Sequence, residues 1–180
     1  MLEKIFGNDK SIKKDNIIYL LMLIFVISGV IGFIYEIIFY RIDLGYFENR
    51  GTTFGPWIPV YGFGSLLIVL ICYRLKKHPL VIFLLSALIT GAVEYGTAWF
   101  CDKILHQRYW DYNVEIWNFG NINGYICFRS VFLFALAGVF LIYVLIPMVN
   151  KLFNKYNLKV ISCILCSLFV LDIILWKIIY

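Results

Sequence analysis

Apolar residues in this chain fall in long runs broken by short polar stretches. A membrane helix needs about 20 such residues to cross roughly 30 Å of hydrocarbon. The runs at 17–40, 57–73, 80–100, 126–149 and 159–180 meet or approach that length, the second being the shortest. The pattern predicts an all-α fold, a polytopic transmembrane helix bundle of about five spans. Residues 1–16 form its cytoplasmic N-terminal segment and 17–180 a single transmembrane helical domain. The stretches between spans, 41–56, 74–79, 101–125 and 150–158, are too short to hold a second folded domain. The first run is too long for a signal-peptide core. Tyr35, Glu36 and Ile37 stand where a small-residue cleavage site would be, so the run is expected to stay attached as an anchor. There is no internal repeat and no low-complexity segment.

Composition sharpens this reading. Across 180 residues, 62% are hydrophobic and only 15% charged, with a mean hydropathy of +0.85, so too few polar side chains exist to cover a water-facing surface. The sixteen basic residues then orient the chain, because those near membrane helices favour the cytoplasmic side. Lys4, Lys10, Lys13, Lys14, Arg74, Lys76, Lys77, Lys151, Lys155 and Lys159 fall on one side. Arg41, Arg50, Lys103, Arg108, Arg129 and Lys177 fall on the other. Ten against six predicts N-terminus in and C-terminus out, in a bacterial-type cytoplasmic membrane. The net charge of +5 is explained by anionic lipid headgroups. No dense basic cluster with aromatic stacking positions points to nucleic acid.

Four ionisable residues lie inside the expected spans, Glu36, Glu94, Arg129 and Asp172, all in the outer half. Each costs on the order of 3 kcal/mol at mid-helix, so its presence calls for a partner or a function. Gly29, Gly32 and Glu36 share one helical stripe, and Ala87, Gly91, Glu94 and Ala98 another. Small residues let membrane helices approach closely, so both glutamates are expected to point into the bundle toward Arg129. A purely structural role is the alternative, with Glu36 or Glu94 paired to Arg129 or Arg41. Asp172 lies near the interface beside Lys177 and carries less weight.

The outer segments are unusual. The first, around Arg50, contains Gly55, Pro56, Pro59, Gly62 and Gly64, which predicts an irregular or re-entrant lead-in to the second helix. Its cover is expected from the aromatic and asparagine-rich stretch 109–125, in which Asn118, Asn121 and Asn123 would satisfy freed backbone groups. That second segment also holds His106, Arg108, Trp110 and Asp111, whose aromatic neighbours suit a membrane interface. His106 near Arg108 and Asp111 has the makings of an acid–base group but no nearby nucleophile, and His78 reads as a plain loop residue. No phosphate-binding G-x-x-x-x-G-K-[ST], no H-E-x-x-H and no G-x-S-x-G is present. No cofactor and no metal are expected. The five cysteines are expected to be free thiols; Cys101 and Cys127, which flank the outer 101–125 segment, are the one pair a disulfide would join.

These residues carry a resemblance. The runs from Gly32 to Glu36, Asn49 to Gly51, Gly55 to Gly64, Tyr109 to Tyr112 and Asn123 to Cys127, together with Glu94, Tyr95 and Asn118, are similar to the bacterial membrane proteins grouped as the putative ABC-transporter type IV family, over roughly residues 20–148. The resemblance implies a permease-like subunit of a transporter; Glu36, Arg50, Glu94, Asp111 and Arg129 are the functional candidates from the reading of the spans and outer segments themselves. It also implies a separate nucleotide-binding subunit, which would touch residues 74–79 and 150–158; oligomers are open. The rival expectation is a membrane enzyme acting on a lipid or polyprenyl substrate with Glu94 or Asp111 as base, and the third is a structural membrane partner.

Overall fold

The computed structural model describes residues 5–6, 11–47, 49, 51 and 53–179. Among them every regular element is helical, apart from one isolated bridge between Ile122 and Ile126. Helix α1 spans Ile17–Leu44 after a 3-10 turn at Lys14–Asn16; α2 spans Pro59–Cys72 and ends in a 3-10 turn at Tyr73–Leu75; α3 spans Pro79–Lys103. A rod follows, made of α4 (Phe128–Phe140), a π turn at Leu141–Leu145, and α5 (Ile146–Lys155), and α6 (Lys159–Ile179) completes the bundle.

Four of these are long and apolar enough to cross a membrane: Lys14–Leu44, Pro79–Lys103, Phe128–Lys155 and Lys159–Ile179. The fifth expected span is the shorter apolar helix Pro59–Leu75, about 25 Å long at 1.5 Å per residue. Prolines set its limits. Pro59 sits in the first turn of α2, where its missing N–H costs nothing, and the chain before it is irregular. Pro147 explains the π turn: its ring crowds the carbonyl four residues back and removes a hydrogen bond, and the preceding turn widens to accommodate it.

The bundle packs in two different ways along its length. Toward the end where α1 and α6 begin, the core is apolar: Leu20 and Ile24 of α1, Val69 and Cys72 of α2, Ile82 of α3, and Ile146 and Val149 of α5 are all fully buried. Lys13, Lys14, Arg74, Lys76, Lys77, Lys151, Lys155 and Lys159 gather at this same end. Small residues set the closest approaches, as expected for helices without a hydrophobic drive to associate. A β-carbon at Gly138 would collide with Ser86 of α3, and one at Gly32 would enter the Tyr61 ring on α2. The opposite end is polar inside and is closed by residues 104–127, which fold as a compact loop.

Candidate functional site

The loop 104–127 is held by its own polar side chains. Arg108 pairs with Asp111 at 3.2 Å and donates to the Asn123 carbonyl at 2.7 Å. Asp111 Oδ1 accepts from the Asn113 backbone N–H at 2.9 Å and from its amide at 2.7 Å. Asn121 donates to Asn113 Oδ1 at 2.7 Å, and Asn118 to the Asn113 carbonyl at 3.3 Å. The Trp110 indole donates to the Tyr125 carbonyl at 3.1 Å. Gly124 lies inside this knot with φ +72°, where any β-carbon would strike Arg108, Asp111 and Asn113, so only glycine closes the loop here. Asn123, with φ 56°, takes the left-handed conformation that asparagine tolerates best among side-chain-bearing residues, and its amide donates to the Tyr95 hydroxyl at 3.2 Å.

Beneath the loop lies a buried cluster drawn from four elements. Glu94 of α3 is 7% exposed. Its Oε1 accepts from the Tyr112 hydroxyl at 2.5 Å and its Oε2 from Ser130 of α4 at 3.0 Å. Arg129, at the start of α4, pairs with Glu115 of the loop at 2.7 Å and donates to the Ile116 carbonyl at 2.6 Å. Its guanidinium lies 3.9 Å from the Phe39 ring centroid on α1. Tyr40 of α1 donates to the other Glu115 oxygen, and Asp43 accepts from the Ile116 N–H at 3.0 Å. Burial, then the Glu94 carboxylate, pushes the Tyr112 phenol well above its ordinary range. Glu36, half-buried on α1, accepts from the Tyr61 hydroxyl at 3.0 Å and acts electrostatically on Glu94, as Glu115 does.

The fold therefore brings Glu36, Glu94 and Arg129 to one region, but Arg129 takes Glu115 as its ion-pair partner, not either intramembrane glutamate. Asp111 lies apart, in the knot that shapes the loop. Arg50 falls outside the described residues. The lead-in to α2 is irregular, and its cover differs from the expectation. Asp172 of α6 accepts from the Gly55 N–H at 3.1 Å and the Trp57 indole at 2.8 Å, and the Gly29 carbonyl accepts from the Ile58 N–H at 3.1 Å. Phe54 packs on Trp176, and Trp57 on Phe169. Asn118, Asn121 and Asn123 bond within their own loop or to Tyr95 instead, because the loop's own turns use up their amides. Pro56 lies in this irregular lead-in; Gly62 packs against Phe25, and Gly64 has open space beside it. All five cysteines are free.

Glu115, Tyr40 and Ser130 escaped the reading of the sequence, and Tyr112 entered it only among the residues that carry the resemblance. Tyr40 lies four residues after Glu36, on the same helical face, and Glu115 is an acid in an otherwise aromatic and amide-rich stretch. Those were the available signals. Neither a curated protein nor a solved structure matches the chain. A family model does, over residues 23–176, and so reaches through most of α6, beyond the stretch that carried the resemblance. With that match spanning the helices, the loop and the buried cluster alike, the chain belongs to the family described as Putative ABC-transporter type IV.

Proposed function

We propose that this chain is the membrane-embedded, permease-like subunit of a bacterial transporter, and that the buried cluster of Glu94, Glu115, Arg129, Tyr112 and Ser130 is where it handles its substrate. One observation carries the reading: carboxylates and a guanidinium from α3, α4 and the 104–127 loop converge under that loop with low exposure. A chain does not place ionisable groups at membrane depth without a structural or functional return. Glu36 extends the same polar field toward α2. The lysine-rich end faces the cytoplasm and the 104–127 loop faces out. The nucleotide-binding subunit, a separate chain, docks at the lysine-rich end against residues 74–79 and 150–158.

The family description supports the transport reading. Isolation of the full chain from its native membranes in mild detergent tests it. The expected result is stoichiometric co-elution of an ATPase whose hydrolysis responds to Glu94→Gln. A chain that elutes alone, or only with copies of itself, and supports no ATP-dependent uptake in vesicles overturns it.

A further inference from the structure

The partners of Glu94 differ in kind from those of Glu115 and Asp172. Glu115 is held by the Arg129 guanidinium, and Asp172 by the Gly55 N–H and the Trp57 indole. These groups donate and never accept, so they fit a carboxylate and reject its protonated form. Glu94 is bonded by hydroxyls, from Tyr112 of the loop at 2.5 Å and from Ser130 of α4 at 3.0 Å. Among the described residues no cation pairs with it. A hydroxyl both donates and accepts.

Ser130 lets both protonation states fit. Its single proton has two acceptors within reach, Glu94 Oε2 at 3.0 Å and the Cys127 carbonyl at 2.9 Å. With Glu94 ionised, Ser130 donates to Oε2 and Tyr112 to Oε1. With a proton on Oε2, Glu94 donates to Ser130 Oγ, Ser130 turns its own proton to the Cys127 carbonyl, and Tyr112 keeps Oε1. The Cys127 N–H, 3.4 Å from Ser130 Oγ, takes the remaining lone pair. Both carboxyl oxygens and the Ser130 hydroxyl are bonded either way, and no heavy atom moves.

The two states ask different things of the loop. A carboxylate at 7% exposure is costly to keep on neutral donors alone, and Glu36 of α1 and Glu115 of the loop add like charge. The other titratable and charged groups packed round the site are Tyr35 of α1, Tyr61 of α2, Tyr112 of the loop, and Cys127 and Arg129 where α4 begins. The Arg129 charge is already taken by Glu115. Lifting the loop removes Tyr112 and returns the carboxyl to water, where the charge costs little.

We propose that Glu94 is a proton-binding switch for the 104–127 loop: with a proton on Glu94 the loop stays closed over the cluster through Tyr112, and loss of that proton to water frees it. This rests on the transport reading for its consequence alone, that pH outside the membrane sets access to the substrate site. Because the closed state holds the proton, opening grows as pH rises, by up to about tenfold per pH unit for one linked proton.

The test uses the full chain in lipid nanodiscs, scanned from about pH 5 to about pH 9, between the ordinary glutamate and tyrosine ranges. Amide hydrogen exchange of residues 104–127, divided by the intrinsic rate at each pH, reads the loop. Infrared difference spectra read protonated carboxyl groups. The expected result is loop protection that falls with rising pH together with a fading carboxyl band. Glu94→Gln, a fixed neutral side chain that suits the same hydroxyls, lacks the band and keeps the loop protected throughout, whereas His106→Asn, which removes the loop's histidine, retains both changes. A pH dependence that survives Glu94→Gln overturns the proposal. If that variant does not fold, the wild-type scan decides: loop protection that is flat, or that changes out of step with the band, overturns it. Neither readout needs an ATPase or a substrate. A chain that shows the switch but moves nothing defeats the transport reading alone, and a chain that transports without it defeats the switch alone.

Discussion

The Arg129 guanidinium meets the Glu115 carboxylate at 2.7 Å, with side chains 10% and 5% exposed, and so ties the first turn of α4 to the loop above it. Tyr40 and Phe39 bring α1 to the same pair. Removing one partner of a buried pair leaves an uncompensated charge and costs about 3–5 kcal/mol. Glu115→Leu and Arg129→Met are each expected to lose stability on that scale, whereas the double variant Glu115→Leu/Arg129→Met is expected to lose less than either. Thermal unfolding in detergent across the cycle checks this, and strictly additive losses would sink it.

Asp172 joins α6 to the lead-in of α2, through the Gly55 N–H and the Trp57 indole. Asp172→Ala leaves both donors without their acceptor, at a cost of about 1–3 kcal/mol for the exposed-to-unmet difference. The loss is expected to be local. Trp57 should become more accessible to a fluorescence quencher while the apolar core near Ile24 and Val69 keeps its protection from hydrogen exchange.

The helices and their interior faces were legible because each rests on local signals: unbroken apolar runs, prolines at helix starts, and small residues spaced with Glu36 and Glu94. The partners of the charged residues were not. Arg129 lies near two glutamates in the pattern of spans, but its partner comes from a loop whose path depends on Gly124, Asn123 and the Asp111 knot. Asp172 sits five residues from Lys177 and reads as an interfacial pair, yet it bonds to residues more than a hundred positions earlier. No periodicity encodes such contacts. Asp111 looked like chemistry because it is an acid beside Arg108; the same proximity lets it fold the loop.

Gly32 has no space for a side chain, because the Tyr61 ring fills it. Gly32→Ala therefore displaces Tyr61 and breaks its 3.0 Å bond to Glu36, and overpacking of this kind costs about 1–3 kcal/mol. Tyr61→Phe removes the same bond without overpacking. A larger fall in melting temperature for Gly32→Ala than for Tyr61→Phe is the expected order, and the reverse order would mean that α1 and α2 are not in contact here.

The lysines gathered where α1 and α6 begin predict the sidedness of the protein. Cysteines introduced at Lys76 and Lys155 are expected to resist a membrane-impermeant thiol reagent in intact cells, and cysteines at Asn113 and Asn121 to react. Labelling at the first pair reverses the orientation and would place the buried cluster on the cytoplasmic side.

Tyr112 is the point at which the loop engages α3, through its 2.5 Å bond to Glu94. A hydrogen bond to a charged group is worth about 1.5–3 kcal/mol, so Tyr112→Phe is expected to destabilise the protein by about that much. Glu94→Gln is expected to cost less, since the Tyr112 and Ser130 hydroxyls can turn to suit an amide. The phenol adds a dependence on pH. Burial, and after it the Glu94 carboxylate, raises its pKa well above the ordinary value, which is about 10. A group whose pKa is raised on folding contributes its full stability below the unfolded value, and that contribution is lost as pH rises through the folded value. The wild-type chain should therefore lose stability above about pH 10 more steeply than Tyr112→Phe does. Parallel curves throughout the alkaline range would mean that the Tyr112 hydroxyl reaches water, and that the loop does not seal the cluster beneath it.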